Sequence, residues 1–255
     1  MSPRRPPRAW IGEPRPVDPA ELAGPRGLIR EVLDAGEELR DAPEGDAAFY
    51  WSLLTEARRA RILGVIEARL ASVTVVLDRL IDPHNAAAIL RTSEGLGIGR
   101  VHVVPHDHGD AVAHRRVTQD AEKWLDVEQH ESGPACVRAL RSQGFRVYAG
   151  HLGEGAVSYT EVAADGPVAL LFGNEHAGPG AETLQACDGT FRIPMAGFTQ
   201  SFNVSVAAGI ALADLARRRR AHLGQAGDLP AGSRVALRAR FTLLAAKLAR
   251  RLGKP

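Results

Sequence analysis

The stretch ALLFGNEHAGPG, residues 169–180, decides the fold. It opens as an unbroken apolar run and stops at Gly173-Asn174-Glu175, where a glycine, an amide and a carboxylate follow one another. A strand wetted on one face alternates apolar and polar residues, whereas a continuous apolar run belongs to a strand covered on both faces. Counting Val168, the segment VALLFGNE (168–175) is accompanied by SVTVVLDRL (72–80), RVHVVP (100–105), FRVYAG (145–150) and GTFRIPM (189–195). All are short, rich in β-branched or aromatic residues, and end in Gly, Pro or polar residues. Helical spacing predicts helices over 83–97, 118–130, 132–143 and 203–220 between and after them. This alternation predicts an α/β fold with a mostly parallel sheet and helices on both faces. In such sheets ligands sit beyond the carboxyl ends of the strands, which directs attention to IDPHN, GNEHAG and IPMAGFTQSFN.

Working outward, residues 1–25 carry prolines at 3, 6, 7, 14, 16, 19 and 25, a density that no regular helix or central strand tolerates. GLIREVLDAGEELR (27–40) has the spacing of a short amphipathic helix, which DAPEGD (41–46) breaks. A second helix is predicted over 47–70, with Arg58, Arg59, Arg61 and Arg69 as a basic face. The chain therefore divides into a Pro-rich extension (1–46), a core with its leading basic helix (47–220) and a basic helical tail (221–255). The start, MSPRRPPRAW, leads into no apolar run that could serve as a signal-peptide core, and no stretch approaches the roughly 18 apolar residues of a membrane span. The expected compartment is the cytoplasm. Cys136 and Cys187 lie far apart, in no C-x-x-C spacing, so neither a disulfide framework nor a cysteine-based zinc site is indicated.

The formal net charge of +2 conceals an asymmetry. Residues 215–255 hold eleven Lys or Arg against Asp228 alone, so that segment carries +10 and the remainder −8. Such a cluster is the footprint of a phosphate-binding surface, because neutralised phosphates release counterions. Arg217, Arg218, Arg238 and Arg240, with Arg58, Arg59 and Arg61, are the candidate phosphate contacts.

Several motif fragments point elsewhere and fall short. GLGIG (95–99) and GHLGEG (150–155) do not complete G-x-G-x-x-G between a strand and a helix, which disfavours a dinucleotide oxidoreductase. His102, His106, His108 and His114 lack a carboxylate or thiol at fixed spacing, and no metal is expected. Asn203-Val204-Ser205 fits a glycosylation sequon but opens a predicted helix in a chain with no secretory signal.

Three stretches carry the chemistry. In LDRLIDPHNAAAILRTSEGLGI (77–98), Asp82-Pro83-His84-Asn85 reads as a helix start, and Arg91 follows somewhat under two turns on. An arginine there offers five donors in a rigid fork suited to phosphate or ribose oxygens. In ALLFGNEHAGPG, Gly173 allows close backbone approach and Glu175 can order neighbouring loops. In FRIPMAGFTQSFNVSVAAGIAL (191–212), an extended Ile-Pro-Met leads through Thr199-Gln200-Ser201 to a helix of small residues that permits close packing.

Together and in this order, these stretches resemble the three motifs of the SpoU branch of the SPOUT methyltransferases, over about 72–220. The first motif's asparagine and arginine fall on Asn85 and Arg91. The G-x-E falls on Gly173, Asn174 and Glu175, and the I-P-M…S-x-N on Ile193, Pro194, Met195, Ser201 and Asn203. The resemblance implies a C-terminal trefoil knot, a homodimer whose sites are completed across the interface, and S-adenosylmethionine held by the knot loops. The cofactor contacts it implies are Ala149, Gly150, Phe172, Gly173, Asn174, Ile193, Met195 and Phe202. Phe202 departs from the leucine frequent in tRNA-modifying relatives.

The implied reaction is methylation of an RNA ribose 2′-hydroxyl, with Arg91, Asn85, Glu175, Ser201 and Asn203 as the catalytic set. A guanidinium is a poor general base, so Arg91 is assigned to the neighbouring phosphate and to polarising the hydroxyl, while the other four shape the loops. The expected substrate, the guanosine at position 18 of the tRNA D-loop, is implied by the overall resemblance to tRNA guanosine-2′-O-methyltransferases, with a compact core, a basic N-terminal helix and a basic C-terminal tail; residues 1–46 are too short and Pro-rich for the separate RNA-binding domain of many ribosomal-RNA enzymes. Methylation of ribosomal RNA is the same-class alternative, and a non-catalytic RNA-binding factor the different-class one. Neither membrane nor DNA is an expected partner.

Overall fold

Strand β1 (Val73–Asp78) is buried at all six positions, as is the strand beside it, Val168–Gly173. That burial follows from helices on both sides, as the unbroken apolar runs require. In the computed structural model, backbone is described for residues 44–106 and 122–251, and side chains for 47–106 and 123–247. Along the chain come α1 (Glu44–Leu53), α2 (Glu56–Glu67), β1, α3 (Pro83–Gly95), β2 (Arg100–Val104), β3 (Asp126–Gln129), α4 (Gly133–Ser142) and β4 (Arg146–Gly150). There follow β5 (Val157–Ser158), β6 (Val168–Gly173), α5 (Ala181–Ala186), β7 (Gly189–Arg192), α6 (Val204–Leu223) and α7 (Ala231–Arg251).

The seven strands form one sheet in the order β3-β2-β1-β6-β4-β7-β5, and every pairing is parallel. Side-chain alternation sorts the apolar runs into two cores. Val73, Val75, Leu77, Val168, Leu170 and Phe172 face α3 and α6, meeting Ile89, Leu90, Ala208 and Leu212. Val76, Ala169, Leu171, Val147 and Ala149 face α4, meeting Cys136, Val137 and Leu140. The small residues of α6 serve this packing: Ala208, Ala211 and Ala216 are fully buried.

Local chemistry fixes the boundaries. Asp82 caps α3 by accepting from the His84 N–H at 2.8 Å, with Pro83 in the first turn. Asn203 caps α6 in the same way through Ser205 N–H at 2.9 Å, and Gly224 ends it in the left-handed region. Thr55 caps α2, so the single helix predicted over 47–70 is two helices. The helix predicted over 118–130 is also corrected: its described part is a 3-10 turn at Glu122–Trp124 and then the edge strand β3. β3 is mostly exposed, which explains its polar sequence. The short β5 and α5 had no counterpart in the sequence reading, and the helix predicted over 27–40 lies outside the described residues.

The third core joins chain regions that the sequence reading separated. Leu54, Ile62 and Ile66 from the leading helices pack on Phe241, Leu244 and Ala245 of α7. Trp124 meets Phe241 edge to face at a centroid distance of 5.0 Å. Asp228 clamps this layer to the start of β1 by accepting from the N–H groups of Ala71 at 2.6 Å and Ser72 at 3.3 Å. Among the described residues no helix is long and apolar enough to cross a membrane.

Ile89 is fully buried between α3 and the sheet. Ile89→Ala is expected to destabilise the fold by about 2–5 kcal/mol. Urea unfolding checks this through a lower midpoint at unchanged slope.

Candidate active site

The chain leaves β1 through Arg79, whose φ of 55° makes it the one non-glycine residue in the left-handed region among the described residues. For a residue with a long side chain that conformation is disfavoured unless its surroundings hold it. Here the Asn174 amide donates to the Arg79 carbonyl at 3.1 Å, while the Asn174 oxygen accepts from His176 and Ala177 N–H at 2.9 and 3.0 Å. Asn174 thus builds the loop after β6 and fastens it to the loop after β1.

Glu175 completes the junction. Its carboxylate accepts from Ile81 N–H at 2.9 Å, Asp82 N–H at 3.1 Å and the Asn85 amide at 3.0 Å. The Asn85 oxygen accepts in turn from the Asn203 amide at 3.0 Å, and the Asn203 oxygen accepts from the backbone and hydroxyl of Ser205. One carboxylate and two amides therefore tie together the loops that follow β1, β6 and β7. Partial burial by itself raises the Glu175 carboxyl, but the hydrogen bonds from Asn85, Ile81 and Asp82 outweigh it and hold the group below the ordinary glutamate range.

These loops wall an open cavity of about 380 Å³ beyond the ends of β4, β6 and β7. That volume lies within the roughly 300–1,000 Å³ of small-molecule pockets. Gly150, Phe172, Gly173, Asn174, Ile193, Met195 and Phe202 line it, and so do Glu175, Ser201 and Asn203. Gly173 is required by its surroundings: a Cβ there would stand 2.2 Å from Pro179 N and 2.5 Å from the Gly178 carbonyl carbon. The 174–179 loop lies that tightly on the strand end. A mixed wall of aromatic rings, methionine, amides and glycine backbone suits an amphipathic ligand with an aromatic base and a charged tail.

Two predicted site residues lie elsewhere. Ala149 is fully buried under α4, on the far face of the sheet, and does not line the cavity. Arg91 is exposed, lines no part of the cavity, and makes no hydrogen bond or ion pair with another described residue. It lies six positions beyond Asn85, which sets the two side chains about 120° apart on α3. Leu152, Arg192 and the Gly178-Pro179 turn line the cavity without having been singled out. Only the Gly-Pro-Gly run at 178–180, a turn signal, offered a hint of them.

The basic candidates divide in the same manner. Arg58, Arg61 and Arg238 are exposed, Arg59 is half-buried, and Arg217 is exposed beside Asp214. Arg218 and Arg240 are engaged within the fold. Arg218 is held by Asp214 and by the carbonyls of Val162 and Tyr159, and Arg240 is buried against Asp126 and the carbonyls of Lys123 and Leu125. Their donors complete the fold instead of facing solvent.

The three-motif site on an all-parallel sheet defines a class. A family model described as the SpoU rRNA Methylase family matches residues 72–213, more than half of the chain, and the chain belongs to that family. Among curated relatives, a tRNA (guanosine(18)-2′-O)-methyltransferase of Thermus thermophilus is 39% identical over 165 residues, covering 65% of this chain and 84% of that protein. The enzyme of the same name from Escherichia coli is 32% identical over 208 residues, covering 79% and 90%. Among solved structures, the A. aeolicus TrmH/SpoU tRNA modifying enzyme superposes with a TM-score of 0.66 at 29% identity, over 74% of this chain and 96% of that one. An AdoMet-bound rRNA methyltransferase from Sinorhizobium meliloti gives 0.53 at 30% identity, over 61% and 60%. S-adenosylmethionine is the cofactor of the family, and the cavity fits it in size, in mixed polarity and in its glycine-floored strand ends.

Two measurements check this site description. Because the Glu175 carboxyl is held low, its stabilisation is complete above the ordinary glutamate range and is lost as pH falls through the lowered folded value. Below about pH 4 the thermal midpoint of the wild type is expected to fall more steeply than that of Glu175→Gln, and parallel slopes would contradict the network. Arg240→Ala is expected to cost about 1.5–3 kcal/mol in chemical denaturation, from lost charged hydrogen bonds, whereas Arg238→Ala stays within about 0.5 kcal/mol.

Proposed function

We propose that this chain is an S-adenosylmethionine-dependent RNA ribose 2′-O-methyltransferase that modifies the guanosine at position 18 of the tRNA D-loop. The observation that carries the enzyme class is the hydrogen-bonded chain Glu175–Asn85–Asn203, which joins all three motif loops around one cavity. The tRNA assignment is supported by the similarity to enzymes of that name in T. thermophilus and E. coli, which this chain covers over most of their length.

In this reading Gly150, Phe172, Gly173, Asn174, Ile193, Met195 and Phe202 hold the cofactor. When bound, S-adenosylmethionine supplies a methyl group activated by its sulfonium charge. Asn85, Glu175 and Asn203 fix the loops in the geometry that aligns the ribose hydroxyl, and Ser201 lies in the cavity wall to orient it. Arg91, with its donors uncommitted among the described residues, binds the phosphate beside the target nucleotide and polarises the 2′-hydroxyl. The proton leaves through phosphate or water, since a guanidinium donates hydrogen bonds and does not accept them. Arg58, Arg59, Arg61, Arg217 and Arg238 form the wider phosphate-binding surface.

Arg91 stands outside the cavity wall, which supports a homodimer whose sites are completed across the interface. Exposed Phe198, Phe202 and Val206, beside the site and at the start of α6, supply apolar surface for it. The knot implied by the family is supported by the route of the chain: after β7 it passes the cavity and returns as α6 to pack against β1 and β6. The compartment in this reading is the cytoplasm.

Methyl transfer from labelled S-adenosylmethionine to unmodified total tRNA, with ribosomal RNA in parallel and the modified position mapped, tests the proposal. Label at guanosine 18 is expected, with Arg91→Ala reducing turnover on the order of 100-fold or more. Near-normal turnover in Arg91→Lys would contradict a contact specific to the guanidinium fork. Label in ribosomal RNA alone would keep the enzyme class and overturn the substrate, and label in neither would overturn both.

A further inference from the structure

On the α4 side of the sheet, away from the cofactor cavity, three elements bring together a donor set unlike anything else among the described residues. His102 of β2 and Cys136 of α4 are fully buried. His130, immediately after β3, has its N–H on the Val103 carbonyl at 2.9 Å and its Nε2 2.9 Å from His102 Nδ1. One donor atom from each of His102, His130 and Cys136 lies within 4.8 Å of the other two. The Glu128 carboxylate, half exposed at the rim, reaches to 3.6 Å from His102 Nδ1 and 3.8 Å from His130 Nε2.

We propose that His102, His130 and Cys136 form a binding site for a divalent transition metal of the zinc class, with Glu128 at its solvent-facing position.

Three physical arguments support it. Two imidazoles and a thiolate are borderline-to-soft donors, which select zinc or cobalt and reject magnesium and calcium. The charges balance: the imidazoles bind as neutral rings, and the thiolate and the carboxylate together cancel the two positive charges of the ion. A net-neutral cluster is one that a buried location tolerates. The two rings stand near the required spacing, because tetrahedral zinc with bonds of about 2.0–2.1 Å separates two nitrogens by about 3.3 Å. The rings must part by only a few tenths of an ångström.

A plain histidine pair beside a packed thiol accounts for less. His102 Nε2 is buried with no partner, so no second bond holds the ring in its present orientation. A ring flip can present either nitrogen to an ion, so the ring is not committed to its present bond. Nor does a histidine pair explain why a carboxylate and a thiol converge on the same rings. On binding, the Cys136 S–H bond gives way to a sulfur–metal bond and its proton leaves to solvent, with no change of oxidation state. The ion would fasten β3, a short edge strand, to β2 and to the first turns of α4.

None of these residues lines the cofactor cavity, so the test is independent of methyl transfer. The reduced full-length chain is titrated with Co²⁺ and followed by absorbance. One Co²⁺ per chain is expected, with the intense visible bands of a tetrahedral site, a thiolate-to-cobalt charge-transfer band in the near ultraviolet, and displacement of both by Zn²⁺. The chain has two cysteines, and Cys187 is the other free one. Cys187→Ser is therefore expected to keep the charge-transfer band, which assigns it to Cys136 without disturbing the buried site. His130→Gln is expected to weaken Co²⁺ binding at least tenfold. The proposal is overturned by the absence of a charge-transfer band in the wild type, by its loss in Cys187→Ser, or by unchanged affinity in folded His130→Gln.

Discussion

The site depends on where the Glu175 carboxylate finds its donors. A carboxylate at the end of β6, partly removed from water, needs compensation, and it takes two backbone N–H groups from the loop after β1 and an amide from the first turn of α3. Those bonds draw the loop through Arg79, which adopts a backbone conformation it would not otherwise hold. They orient Asn85, which connects to Asn203 and so to the start of α6. The cavity exists because three loops that could each wander are anchored to one charge.

Sequence pattern revealed the sheet because burial on both faces leaves an unmistakable composition. VTVVLD and VALLFG read as central strands, and their alternate residues serve two different cores. The same logic explains what was hidden. Edge strand β3 is Asp-Val-Glu-Gln, exposed at Val127, Glu128 and Gln129, so it carries no apolar signature and was read as part of a helix. β5 is two residues long, and its place at the sheet edge is set by pairing with β7 rather than by its own side chains.

The basic segment 215–255 shows that charge alone does not tell which arginines face solvent. In the run Arg217–Arg220, only Arg217 is exposed. Arg218 binds Val162 and Tyr159 carbonyls, Arg219 is buried against Ser72 and Ala164, and Arg220 reaches the carbonyls of Ala68 and Leu96. Arginines that satisfy carbonyls at the ends of other elements are indistinguishable in sequence from arginines that wait for phosphate. The candidate site was more legible: seven of the eight predicted cofactor residues line one cavity, because strand-end glycines and loop amides have few structural reasons to recur in that order. Ala149 is the exception because a strand alternates, placing its methyl under α4 while Gly150 faces the cavity.

The central claim is that the Glu175–Asn85–Asn203 chain builds the cofactor pocket. Calorimetric titration of S-adenosylhomocysteine, the demethylated product form of the cofactor, into the wild type and into Asn85→Ala tests it without any RNA. The account predicts one site per chain in the wild type and binding at least tenfold weaker in a folded Asn85→Ala, with loss of about 1–3 kcal/mol as the buried partners go unpaired. Equal affinity in the two proteins would contradict it.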